Sequence, residues 1–167
     1  MTGFFLLGGL SGCGDDFAKA ERALARKDYA KASALFQKAC EKGNAKACHG
    51  LGEIVARVEG NEKKAAGLFK IACDGGESKA CVSLGYMRQA GQGIEKDEKK
   101  AADLYKKACD AANAIGCRNL GVMYEYGVGA EKDDESALLY YSMACGMNEQ
   151  RACELYVTLK HQRTKDG

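Results

Sequence analysis

The chain has 167 residues, which is enough for one domain with its own hydrophobic core. Its 25 basic and 23 acidic residues are interspersed and leave a net charge of +2, so the sequence does not predict the basic face that nucleic-acid-binding proteins need. No apolar run is long enough to predict a transmembrane helix. The 21 glycines occur without any proline, which is typical of helices that end in tight turns.

The start of the chain predicts an export signal. Residues 3–10 form a short apolar run, and a Leu-Ser-Gly-Cys sequence follows that ends at Cys13. A short apolar run that ends in small residues is typical of a secretory signal and its cleavage site. The Leu-Ser-Gly-Cys sequence also resembles the lipobox of bacterial lipoproteins, although no Lys or Arg precedes the apolar run. We expect residues 1–12 to be a leader, Cys13 to carry a lipid and residues 13–16 to form a short tether; an ordinary N-terminus is the alternative.

A nine-residue frame that begins and ends in cysteine occurs four times in the chain, which indicates an internal repeat. Before each frame, apolar residues recur at helical spacing, as in Ala32, Leu35, Phe36 and Ala39. A second helical run follows each frame, so each unit is expected to be a helical hairpin. The four frames are Cys40–Cys48, Cys73–Cys81, Cys109–Cys117 and Cys145–Cys153.

The breaks between these runs predict where helices begin and end. Gly91 and Gly127 are expected to end helices, and Asp97 and Asp133 to cap the helices that follow. The nine predicted helices are residues 16–26, 29–42, 45–58, 61–74, 78–90, 97–111, 114–126, 133–146 and 149–163. A compact four-helix bundle is the alternative, but a bundle has no need of a fixed period. The sequence therefore favours an all-α, right-handed α/α superhelical solenoid.

The repeated units resemble Sel1-like repeats, which are related to the tetratricopeptide repeat. The resemblance is best over residues 119–129, which read NLGVMYEYGVG. With a cysteine pair in each unit, the chain is similar to the cysteine-rich Sel1 proteins of the Helicobacter type. It departs from their pattern at Arg88, where Tyr is usual, and at Tyr156 and Val157, where Leu-Gly is usual. The resemblance implies one repeat domain over 17–163, with a tetratricopeptide-like hairpin at 17–42, repeats at 45–74, 78–111 and 114–146, and a capping helix at 149–163.

The spacing of the cysteines limits what they can do. On one continuous helix, the two cysteines of a frame would lie about 12 Å apart, whereas a disulfide needs Cα atoms less than about 7 Å apart. Gly and Asn residues inside the frames let the chain reverse, so we expect one disulfide within each frame. The alternatives are zinc, a redox-active thiol pair and reduced buried cysteines. Structural zinc sites favour closer ligand pairs, and no Cys-x-x-Cys sequence is present.

The residues give little support for catalysis. Cysteine-rich Sel1 proteins often carry a β-lactamase-like label, so the resemblance implies a weak β-lactam-binding or β-lactam-hydrolysing enzyme as an alternative function. A serine β-lactamase needs Ser-x-x-Lys and Lys-Thr-Gly, and neither motif occurs. His49 and His161 are too far apart in sequence to suggest a metallohydrolase. We expect no catalytic residue, no metal ion and no cofactor.

Stacked hairpins form a curved array, and the first helix of each unit lines its concave side. Residues one, five and eight positions after each frame share one helix face, and their mixed character predicts a groove for a protein or peptide. Tyr86 and Arg118 are the preferred anchors because Tyr and Arg are enriched at binding hot spots, and Arg88 is a third candidate. The alternatives are packing for His49 and ordinary variation between repeats for the rest. The predicted partner-binding residues are His49, Glu53, Tyr86, Arg88, Gln89, Arg118, Val122 and Glu125.

Together these features predict an exported scaffold for a protein or peptide partner. It would be a lipoprotein of the bacterial periplasm or cell envelope, or a secreted protein, and would touch a membrane only through a lipid on Cys13.

Overall fold

The computed structural model describes the backbone of residues 11–166 and the side chains of residues 15–165. This part of the chain forms nine α-helices and no β-strand. No helix within it is both long enough and apolar enough to cross a membrane. The helices are α1 (Ser11–Ala25), α2 (Tyr29–Glu41), α3 (Ala45–Arg57), α4 (Glu62–Asp74), α5 (Ser78–Ala90), α6 (Glu98–Asp110), α7 (Ala114–Tyr126), α8 (Asp134–Gly146) and α9 (Gln150–Asp166).

The predicted helices are confirmed, and the bounds of α2–α8 agree to within one residue. The two end helices differ. The helix α1 already includes Ser11, ahead of the predicted start at residue 16, and contains the residues expected to form a tether, 13–16, while α9 extends to Asp166 instead of residue 163. Residues 1–10 of the predicted leader lie outside the described part of the chain. The side chain of Cys13, the predicted lipid site, also lies outside it.

Polar caps and glycines set the helix ends. Asp97 and Asp133 cap α6 and α8 as predicted: their carboxylates accept hydrogen bonds from the backbone N–H groups of Lys100 and Glu135 at 2.9 and 3.0 Å. Gly91 and Gly127 follow α5 and α7 in the left-handed conformation, with φ of 73° and 66°. Short hairpin connections of this kind keep consecutive helices side by side.

Each cysteine frame reverses the chain between two helices, and the four predicted disulfides are confirmed. The Cα atoms of each pair are 4.5 to 4.7 Å apart. The fourth residue of every frame makes the reversal with a positive φ: Gly43, Gly76, Ala112 and Asn148. Zinc ligation and reduced thiols, the alternatives from sequence, are therefore wrong for these eight cysteines.

In three successive hairpins, a glycine in the first helix receives an aromatic ring from the second helix. A Cβ atom added at Gly52, Gly85 or Gly121 would lie 2.7 Å from a ring carbon of Phe69, Tyr105 or Tyr141, respectively. These three rings are buried among alanines that recur with the same spacing. At the corresponding position α9 has Val157, whose side chain is exposed. The result is an all-α, right-handed solenoid of stapled hairpins in which each helix packs on the next.

Candidate binding groove

The inner groove is the surface formed by α1, α3 and the facing side of α5, where three adjoining cavities meet at Glu53. Their volumes are about 660, 560 and 460 Å³, and the exposed Glu53 side chain lines all three. The three cavities therefore adjoin one another around Glu53. A row of adjoining cavities suits an extended ligand better than a compact one.

The imidazole of His49 lies at one end of the inner groove, with Glu53, Glu77 and Lys79 around it. Its ring centroid is 5.5 Å from that of Phe69, so the packing role considered from sequence is present. Burial lowers the pKa of His49, and the negative charges of Glu53 and Glu77 oppose that effect. The ring is therefore neutral at neutral pH and can offer one nitrogen as a hydrogen-bond acceptor.

Tyr86 lies at the other end of the inner groove. Its side chain is 56% exposed and borders the cavity that Arg57, Val82 and Glu53 also line. An exposed phenol beside a cavity can cover an apolar side chain of a ligand and also form a hydrogen bond. The structure thus brings three of the predicted partner-binding residues, His49, Glu53 and Tyr86, to one groove.

Gln89 and Glu125 contact the protein's own tyrosines. The hydroxyl of Tyr105 donates to Gln89 Oε1 at 3.1 Å, and the hydroxyl of Tyr141 donates to Glu125 Oε2 at 2.5 Å. In the preceding repeat the equivalent residue is Ala56, opposite Phe69, a ring without a hydroxyl. A hydrogen-bond acceptor is therefore present only where the opposing ring is a tyrosine. This paired difference between repeats is visible in the sequence and could have predicted the two hydrogen bonds.

Arg118 and Val122 also have structural partners. The Nε atom of Arg118 lies 3.3 Å from Glu149 Oε1, and the other Glu149 oxygen accepts a hydrogen bond from the Ala152 N–H at 2.7 Å. Arg118 thereby steadies the carboxylate that caps α9. Val122 packs against the cluster of buried residues that contains Tyr141.

Arg88 lies away from the inner groove, contrary to its grouping with the other candidates. It is two positions from Tyr86, and two residues of a helix point about 200° apart. Arg88 instead lines a separate cavity between α4 and α6, where its guanidinium donates to the backbone oxygen of Glu95 at 3.0 Å.

Among the residues that the structure describes, no group of three His, Cys, Asp or Glu side chains could hold a metal ion.

Comparison with known proteins identifies the repeat. The model of the Sel1 repeat matches residues 21–44, 45–77, 78–113 and 114–149. No curated protein matches the chain.

Several solved structures are similar to this one. A Sel1 repeat protein from Oxalobacter formigenes superposes with a TM-score of 0.68 at 27% identity, over 74% of this chain and 95% of that one. Cysteine-rich protein B from Helicobacter pylori superposes with a TM-score of 0.61 at 27% identity, over 89% of this chain and 99% of that one.

A protective antigen of uropathogenic Escherichia coli strains has a TM-score of 0.78 at 24% identity, over 84% of this chain. This chain spans 32% of that antigen's length, and at this identity the likeness concerns the fold alone.

Proposed function

Because the chain belongs to the Sel1 repeat family, whose members generally mediate protein interactions, we propose that it is a scaffold that binds a protein or peptide along the inner groove. The observation that carries this proposal is the position of Glu53, around which three cavities adjoin between His49 and Tyr86. Repeat arrays commonly use such an extended surface for binding.

The lining of the inner groove suggests how a peptide would be held. Phe17 and Leu24 offer apolar contacts at one end, and the exposed ring of Tyr86 does so at the other. Between them, Glu53 and Arg57 provide opposite charges. A peptide with two apolar side chains separated by polar residues fits this order, and Tyr86 is the expected hot spot.

We also propose that the protein works in an oxidising compartment outside the cytoplasm. Four disulfides in 167 residues support this, because such bonds form and persist in oxidising surroundings. A leader at 1–12 and a lipid on Cys13 belong to the same proposal. If Cys13→Ser leaves the amount of protein in the membrane fraction unchanged, the lipid is not there.

Peptide selection tests the binding proposal. Peptides selected from a random library on the oxidised protein should lose about thirtyfold in affinity, or about 2 kcal/mol, on Tyr86→Ala. Tyr126→Ala is the matched control, because Tyr126 is also exposed and does not line the three cavities. Peptides that bind the Tyr86→Ala variant as tightly as the parent would reject the inner groove as the binding site.

A turnover assay separates this scaffold from an enzyme. The oxidised protein should not hydrolyse nitrocefin above the rate in buffer. Turnover that a single side-chain substitution abolishes would overturn the proposal.

A further inference from the structure

The outer cleft is a cavity of about 670 Å³ between α4 and α6, on the opposite side of α5 from Tyr86. Leu84, Ile94 and Leu104 contribute its apolar lining. Small-molecule sites commonly enclose about 300–1,000 Å³ and combine apolar walls with a few polar groups. The outer cleft has both properties, and it shares no lining residue with the inner groove.

A departure from the repeat at Gly67 widens the outer cleft. The equivalent positions in α6 and α8 are Asp103 and Leu139, so only α4 lacks a side chain there. A Cβ atom added at Gly67 would meet no atom within 4 Å, so the glycine is not required by packing. Glycine also weakens a helix interior by about 1 kcal/mol relative to alanine. The open space is therefore the feature that this residue provides.

A second departure, at Arg88, places a cation in the same cleft. The equivalent residues are Val55, which is fully buried, and Tyr124, whose ring stacks on Tyr140 at 5.6 Å between centroids. In the repeat at 114–146, this aromatic stack lies where the outer cleft would be. The repeat at 78–111 has Arg88 and Leu104 at these two positions instead. Two independent exceptions to the repeat thus meet in one cavity.

The charges around the outer cleft favour an anion. Five cationic side chains and three carboxylates line it. Lys70 and Lys107 share Asp74, with N–O distances of 2.8 and 3.6 Å. Among the described residues, no ion pair within 4.0 Å involves Lys63, Glu95 or Asp103, and Arg88 donates its hydrogen bond to the neutral backbone oxygen of Glu95 and interacts electrostatically with Asp97. Cationic donors therefore remain available beside an apolar surface.

We propose that the outer cleft binds small amphipathic anions, in which one carboxylate or phosphate group is joined to an apolar body. Arg88 and Lys63 hold the anionic group, since the guanidinium fork suits carboxylate and phosphate oxygens. Leu84, Ile94 and Leu104 cover the apolar body. This site is separate from the inner groove, so either site can fail its test without affecting the other.

The test is an NMR titration of the full oxidised chain with three probes of equal chain length: octanoate, octylammonium and octanol. Octanoate should shift the backbone amide signals around Gly67, Arg88 and Leu104 to saturation. Octylammonium and octanol should bind at least about tenfold more weakly, because the ammonium group has no acceptor and repels the cations of the cleft, and the neutral hydroxyl of octanol lacks the negative charge of the carboxylate. Equal binding of the three probes, or shifts scattered over the surface, would overturn the proposal.

Variants locate the octanoate site. Gly67→Leu should block the cleft, and Arg88→Met should remove the cation while keeping the length of the side chain. Each variant should bind octanoate with at least about tenfold lower affinity. Gly146→Leu and Arg57→Met are the matched controls, since a Cβ at Gly146 also meets open space and Arg57 lines the inner groove. Parent-like affinity of either cleft variant would overturn the assignment, and thermal melts check that all four variants fold.

Discussion

The hydroxyl of Tyr105, on α6, donates a hydrogen bond to Oε1 of Gln89, on α5, at 3.1 Å. The Tyr105 side chain is buried, and that burial raises the pKa of Tyr105 to about 12. Tyr141 stands in the same relation to Glu125 in the next hairpin, and burial raises its pKa as well. The folded protein therefore favours the neutral phenol at both sites.

The burial of Tyr105 makes the stability of the folded protein fall at alkaline pH. The pKa of tyrosine in an unfolded chain is about 10, below that of folded Tyr105. Between these values the unfolded chain has released the proton that the folded protein keeps, so rising pH favours unfolding. The stabilising effect of the neutral phenol is complete below pH 10 and is lost as pH rises toward about 12.

We expect Tyr105→Phe to reduce the loss of stability between pH 9.5 and 11.5, measured by urea unfolding at each pH. Tyr86→Phe is the control, because Tyr86 is exposed and its hydroxyl lies outside the core. If the free energy of unfolding fell as steeply with pH in Tyr105→Phe as in the parent, the buried phenol would not be the cause of the alkaline loss of stability.

Two glycine-to-alanine changes should move stability in opposite directions. Gly85→Ala places a Cβ atom 2.7 Å from the Tyr105 ring, so α5 and α6 must separate or the ring must move. We expect a loss of about 1–3 kcal/mol in the free energy of unfolding. Gly67→Ala adds its methyl group to open space and should gain about 0.5–1 kcal/mol from helix propensity. Guanidinium unfolding measures both, and a stabilised Gly85→Ala variant would contradict the close approach.

The disulfides should be reduced in order of exposure. Cys145 and Cys153 are both partly exposed, whereas Cys73 and Cys81 are 1% and 2% exposed. A reductant reaches accessible sulfur atoms first, so Cys145–Cys153 should open before Cys73–Cys81. Limited reduction followed by alkylation and mass spectrometry measures this order, and simultaneous loss of the two bonds would contradict it.

Removal of a single disulfide should lower the free energy of unfolding measurably. Replacing both Cys73 and Cys81 by alanine frees a nine-residue loop in the unfolded chain, which corresponds to about 2.6 kcal/mol in the chain-entropy model. The same free-energy difference should appear in urea unfolding of the oxidised variant against the parent.

Ala112 occupies a turn position with positive φ, where glycine is the favoured residue. Its φ is 56°, whereas the equivalent positions of the first two frames are Gly43 and Gly76. An alanine in the left-handed region costs about 1–2 kcal/mol, and glycine carries no such penalty. Ala112→Gly should therefore raise the free energy of unfolding by about 1 kcal/mol in urea. Asn148→Gly should gain less, because asparagine tolerates this region, and an equal gain would argue against backbone strain.

Periodicity made the architecture predictable. The recurring apolar positions and the cysteine frames located α2–α8 to within a residue and paired the eight cysteines, because neighbouring units must bury the same helix faces. The start of α1 was missed, since residues before 16 carry no repeat signal.

The candidate site was less predictable than the fold. The grouping of residues one, five and eight after each frame put together His49, Glu53 and Tyr86, which line adjoining cavities in the structure. The same grouping treated every polar side chain as available to a partner. Gln89 is engaged by a tyrosine that is 16 positions further along the chain. The spacing of residues along one helix shows which side chains share a face, but it does not show which side chains of the next helix contact that face.

Val157 has a consequence for anyone who wishes to lengthen this protein. The glycine that it replaces is the socket for the aromatic ring of the next helix, and an exposed valine fills that socket on α9. In an engineered extension, the helix that follows α9 would be a second helix of a hairpin, such as a copy of α6, whose Tyr105 ring packs on a glycine in the native hairpin. Changing Val157 to glycine would give that ring the same place to pack on α9.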